Sequence, residues 1–152
     1  MTRFCNTSAS PGQKHGRVST NYSHTFIAVA ADCPVRTPQV PPMNPEKPTI
    51  AALQFELLST RPHELTSDDV LFAVHARRAG LSEDDLDAAR EQFFARDQAC
   101  LRTSPLSKRF GWGTHHDGEG RVALYGVGTA EYERLAALPD LAQKSALRSS
   151  RA

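Results

Sequence analysis

The chain has 152 residues and a formal net charge of +1. That length fits one domain with room for tails. The near-neutral charge disfavours a protein built to coat nucleic acid, which carries a large positive excess. No apolar run reaches the length of a membrane span, and the longest, Phe26 to Ala31, fits a buried strand instead.

Residues 1–19 are polar, contain Pro11, Gly12 and Gly16, and lack the apolar centre of a secretory signal. They read as a disordered, dispensable extension. The three cysteines, Cys5, Cys33 and Cys100, are few, unclustered and odd in number. That fits reduced thiols in a cytoplasmic protein better than a disulfide framework. Thr25 to Ala30 is a short β-rich run and predicts a strand, ended by Asp32-Cys33-Pro34. Residues 34–48 hold six of the ten prolines, so no regular element continues through them. They read as an extended connector on the surface.

Helices follow. Thr49 is placed to cap a helix through Leu58, with Ile50, Leu53 and Leu57 on its inner face, broadened by Phe55 and Leu58. Pro62 enforces the stop. Thr66-Ser-Asp-Asp69 and Ser82-Glu-Asp-Asp85 both match the hydroxyl-x-x-acid capping pattern. Gly80 sits where a left-handed helix end is wanted, just after Arg77 and Arg78. Two helices, 67–79 and 83–96, are therefore expected, burying Val70, Leu71, Val74 and Leu86, Ala89, Phe93, with Phe94 as a further candidate. Residues 97–108 are polar and basic, with a short extended piece at Cys100-Leu101. Thr129 caps a last helix with Tyr132, Leu135 and Leu138 inward. Residues 143–152 carry Lys144, Arg148 and Arg151 without an acid and are expected to fray as a basic flexible tail.

Between Lys108 and Tyr125 lies a β-hairpin with the only Trp, two adjacent histidines and two in-strand glycines. A four-residue loop, Asp117 to Gly120, pairs Trp112 with Tyr125. A two-residue Asp117-Gly118 loop is the rival register. The first is preferred because it sets apolar residues opposite one another. It places Gly111, Gly113, His115, Val122 and Leu124 on one face. Glycine weakens a strand unless something approaches the backbone closely, and a ligand is the favoured occupant over a packed helix.

Thr20-Asn21-Tyr22 with Thr25 to Ala30 and Asp32-Cys33-Pro34, Ser67 to Phe72 with His75, Arg90 to Phe94, Gln98 to Arg102, Ser104-Pro-Leu106, Gly111-Trp-Gly113, His115 and Ala123-Leu-Tyr125 are all present. In these strings the chain resembles a family of short bacterial proteins without an assigned function, over roughly residues 20–148. The resemblance implies no activity and no catalytic residue. It also implies that residues 1–19 are an added extension or follow a wrong start site.

The candidate chemistry is sparse. His115 and His116 point to opposite faces of a strand and cannot grip one ion together. A metal site would need His115 joined by a distant ligand such as His75 or Cys33, so neither a metal nor a cofactor is expected. Cys33 and Cys100 are candidate nucleophiles, but free cysteines are more often small core residues. The segment Arg102 to Arg109 combines three cations with hydroxyl donors and suits a phosphate or carboxylate. The expected fold is α+β: a small antiparallel sheet of the N-terminal strand and the hairpin, covered by three to four helices, over residues 20–142. The favoured function is binding of a small anionic ligand or a protein partner through Arg102, Lys108, Arg109, Gly111, Trp112, Gly113 and His115. The alternatives are a small enzyme using His115 with Cys33 or Cys100, and weak nucleic-acid binding.

Overall fold

Strand alternation sets the architecture. Strand β1 (Thr25–Ala28) points Phe26 to one side and Ile27 to the other, and both are fully buried. Both faces of its sheet must therefore be covered. The computed structural model describes residues 19–148, and there this is what happens. The fold is α+β. One face of the sheet packs on α1 (Ile50–Thr60) and α2 (Ser67–Ala79), around Ile27, Leu58, Val70, Leu101 and Val122. The other packs Phe26 on Tyr132 and Leu135 of a short helix, Ala130–Ala136. Among the described residues, no helix is long and apolar enough to cross a membrane. The remaining residues of the expected N-terminal extension, 1–18, and the tail end, 149–152, lie outside the described residues.

The sheet has four strands in the order β3-β2-β1-β4, with β2 at Trp112–His116, β3 at Val122–Gly126 and β4 at Ala142–Ser145. The hairpin and β1 are antiparallel as expected, but β4 pairs parallel to β1, so the sheet is mixed. Residues 143–148 thus differ from the expected frayed tail. All four β4 side chains are exposed, so the segment carries no apolar alternation. Its backbone holds it: Ala142 N donates to His24 O at 2.8 Å, Ala146 N to Ala28 O at 2.9 Å, and Leu147 N to Arg102 O at 2.8 Å.

The caps explain the helix starts. Thr49 Oγ1 accepts from Ala52 N at 3.1 Å. Thr66 and Asp69 form the reciprocal capping box, and Gly80 ends α2 at φ +68°. Ser82 does not cap. Its hydroxyl donates to Asp85 Oδ2 at 3.0 Å instead of accepting a backbone N–H. Residues 83–85 consequently form a 3-10 turn, and α3 runs only from Leu86 to Phe94, burying Phe94 alone. Arg90 holds this helix to α2, bonded to Asp69 at 3.0 Å and lying over the Phe72 and Phe94 rings. Thr66→Ala is therefore expected to lower stability by about 1 kcal/mol, and Ser82→Ala to stay within about 0.5 kcal/mol. Urea midpoints of the two variants check this. The segment expected to be extended near Cys100 is instead a 3-10 turn at Leu101–Thr103, followed by α4 (Pro105–Arg109), capped by Ser104.

The hairpin register differs from both expected ones. Trp112 pairs with Gly126, Gly113 with Tyr125, Thr114 with Leu124 and His116 with Val122. Asp117 causes the shift: its Oδ1 accepts from the N–H of both Glu119 and Arg121, at 2.9 Å each. The loop therefore absorbs Arg121 as a fifth residue. A one-residue change of register moves one strand's residues to the opposite faces of its partner's. Trp112, Thr114 and His116 consequently share the α1–α2 face with Val122 and Leu124, while Gly113 and His115 share the other with Tyr125.

Candidate functional site

The proline-rich connector runs past the start of α1 and stands off the segment 98–110. Between them two adjoining cavities open, of about 820 and about 650 Å³. They share Lys47, Pro48, Ile50, Arg78, Thr103 and Pro105 as lining, so they form one continuous groove. Its apolar walls include Ile50, Leu71, Val74 and Phe93. Ile50 is exposed, and Phe93 and Leu71 are half-buried, Leu71 at the edge of the core.

The charge of this groove is one-sided. Lys47, Arg77, Arg78, Lys108 and Arg109 line it against a single acid, Glu46. Among the described residues only Arg77 of these five is in an ion pair, to Glu56 at 4.0 Å with both side chains more than half exposed. Such a pair is weak. The first turn of α1 adds to the field. It contains no acid, and Thr49, Ile50 and Ala51 line the second cavity. First-turn N–H groups lack intrahelical acceptors and carry the positive end of the helix dipole.

Of the seven residues singled out from the sequence, the groove gathers two, Lys108 and Arg109. Arg102 donates from Nε to Ser145 O at 2.7 Å and anchors β4. Trp112 donates its indole N–H to Gln39 O at 2.8 Å and packs on Phe55 with ring centres 5.3 Å apart. The room beside the glycines is taken by the protein itself. At Gly113 a Cβ would meet the Tyr132 and Phe26 rings, and at Gly111 it would meet Val35 and Val127. The close approach expected of a ligand at these glycines is thus made by Tyr132 and by the connector. Gly111 also has φ +83°, where side chains are strained.

His115 meets His63, with Nδ1 and Nε2 2.9 Å apart. Burial, then the charge of His63, holds the His115 pKa below its usual value. No hydrogen bond among the described residues joins His115 to Cys33 or Cys100. Cys100 shares the first cavity with His75, but its thiol lies 3.1 Å from the Tyr22 hydroxyl. Burial, with that bond next, pushes the Tyr22 hydroxyl up to about 12. Among the described residues, no group of three His, Cys, Asp or Glu side chains is placed to hold a metal ion.

The groove residues not singled out from the sequence include Lys47, Gln54, Arg77 and Arg78. The arginine pair has a sufficient local reason, since cations complement the C-terminal end of α2. Gln54 did leave a signal, as the lone amide among Ile50, Leu53, Leu57 and Leu58.

An α+β domain with a cation-lined groove is what fold and site define. The chain belongs to a family of unknown function, DUF6157, whose model matches residues 17–152. No curated protein and no solved structure matches the chain.

Proposed function

We propose that the protein is a binding module for a small organic anion, a carboxylate or a phosphate, held in the groove between the connector, α1, the end of α2 and α4. The observation that carries this reading is the concentration of five cations against one acid on a concave, partly apolar surface. Apolar walls with a few convergent polar groups are what a small-molecule site needs. Arg78, Lys108 and the first turn of α1 are the groups assigned to the anionic head, with Arg109 and Lys47 at the rim. A bacterial cytoplasm is the setting that goes with this reading. It is supported by the bacterial family the sequence resembles and by Cys33 and Cys100, which are free thiols, as thiols are in a reducing compartment.

Calorimetric titration with phenyl phosphate and with phenylbutyrate tests the proposal. At least one is expected to bind, more weakly as salt is added. Arg78→Ala combined with Lys108→Ala is expected to weaken it about tenfold or more, because charge-assisted hydrogen bonds are lost. Equal binding by the double variant, or no binding of either anion to the parent, would overturn it.

A further inference from the structure

The inner end of the groove carries a polar group that the anion reading leaves unused. Gln54 is 2% exposed and lines the first cavity beside Leu71, Val74 and Phe93. Its carbonyl is taken: Ser104 Oγ donates to Oε1 at 2.6 Å. That length belongs to an O–H···O bond rather than an N–H···O bond. Ser104 Oγ in turn accepts from Leu106 N at 3.1 Å, so its own proton is directed at Gln54. The amide is thereby fixed with oxygen toward Ser104 and nitrogen away from it. No hydrogen bond among the described residues takes up Nε2. Nε2 is not one of the sealed-off side-chain atoms without a partner, so this donor edge is open to the cavity that Gln54 lines.

We propose that Gln54 Nε2 is the recognition point for a neutral hydrogen-bond acceptor, a carbonyl oxygen above all, in the body of the bound anion. This rests on the reading of the groove as an anion site and names the class of ligand. The ligand is a carboxylate or phosphate whose apolar body carries an acyl carbonyl. The anionic head lies at Arg78 and Lys108, the apolar body lies along Leu71, Val74 and Phe93, and the carbonyl accepts from Gln54. A site built to donate a hydrogen bond discriminates against the analogue that lacks the acceptor, because the donor is then left unpaired.

Benzoylpropionate and phenylbutyrate differ only in a ketone oxygen and serve as the probe pair. The parent is expected to bind the ketone about tenfold more tightly, the worth of one buried hydrogen bond. Gln54→Glu keeps an acceptor for Ser104 but replaces the donor edge by an acceptor, and is expected to abolish or reverse the preference. Gln54→Met removes both edges and should bring the ratio to about one if the variant folds, which circular dichroism checks. Two results overturn the proposal in distinguishable ways. If both probes bind equally to the parent, yet both are weakened by Arg78→Ala with Lys108→Ala, the anion site stands and the role of Gln54 falls. If neither probe binds while phenyl phosphate does, the role of Gln54 falls and the anion site stands. If none of the three anions binds, or the double variant weakens none of them, both readings fall together.

Discussion

Gly113→Val is expected to unfold the protein. A Cβ at Gly113 would lie 2.8 Å from Tyr132 Cε2, 2.9 Å from Phe26 Cζ and 3.0 Å from Ile27 O. None of the three has room to move. Ile27 O is sheet backbone. Phe26 is fully buried, and Tyr132 meets it edge-on with ring centres 5.1 Å apart. Tyr132 is further pinned by its hydroxyl, which accepts from Val29 N at 3.0 Å. Even Gly113→Ala is expected to cost about 3 kcal/mol, at the upper end of ordinary overpacking, and the two extra methyl groups of valine add to that. Gly118→Ala is the control. Its Cβ would meet only the ring of His24, an exposed side chain that can turn away, so little loss is expected. Urea denaturation separates the two alanine variants. A Gly113→Ala midpoint equal to that of the parent would mean that Tyr132 does not fill the space beside β2.

The second large effect is on acid stability. His116 is fully buried and its pKa is pushed down to about 3, chiefly by burial and then by the charge of His115. Its Nε2 lies 3.0 Å from Thr114 Oγ1, while Nδ1 has no hydrogen-bond partner among the described residues. A bare ring nitrogen costs less when unpaired than a charged imidazolium does, so the neutral form is the buried one. The sign follows from linkage. Above about pH 6.5 neither state binds the proton, and His116 contributes no pH dependence. Below that the unfolded chain takes up a proton that the fold refuses, so stability falls with pH until the folded pKa is reached. By about pH 5 the loss from this one group is about 2 kcal/mol. His115, also depressed, adds in the same direction. His116→Gln keeps a donor for Thr114 but cannot titrate. Its stability is expected to fall less than that of the parent between about pH 7 and about pH 5, whatever its absolute value. Equal falls in parent and variant would show that His116 is not the group that loses stability in acid.

Local chemistry made much of this fold legible. Thr49, Thr66, Gly80 and Thr129 act on their own neighbours, and the helix ends they mark lie where the sequence puts them. Ser82 carries the same pattern but spends its hydroxyl on a carboxylate, a choice between two acceptors that spacing alone does not decide. Strand β4 was illegible for another reason. It is held by backbone hydrogen bonds to β1, and its exposed side chains leave no alternation to read. The hairpin register turned on a single carboxylate, Asp117, capturing two N–H groups in its loop.

The site was half-legible. Lys108 and Arg109 stood out because they adjoin in sequence. Lys47, Gln54 and Arg78 join them only through the packing of α1 against α2 and the course of the connector. Leu71 and Phe93 sit at core spacing, and periodicity does not distinguish a buried face from the wall of a groove. Of the two glycines read as in-strand, Gly113 lies in β2 and Gly111 just before it. Both signalled a close approach correctly, but the approaching groups are Tyr132 and the proline-rich connector.

The most direct measurement of where an anion binds is a nitrogen–proton correlation spectrum recorded while benzoylpropionate is titrated into the full chain. The backbone signals of Lys47, Ile50, Thr103 and Lys108 are expected to move together with the side-chain amide of Gln54, while those of Gly113 and His115 stay in place. Shifts centred on His63 and His115, or none in the groove at saturating probe, would contradict it.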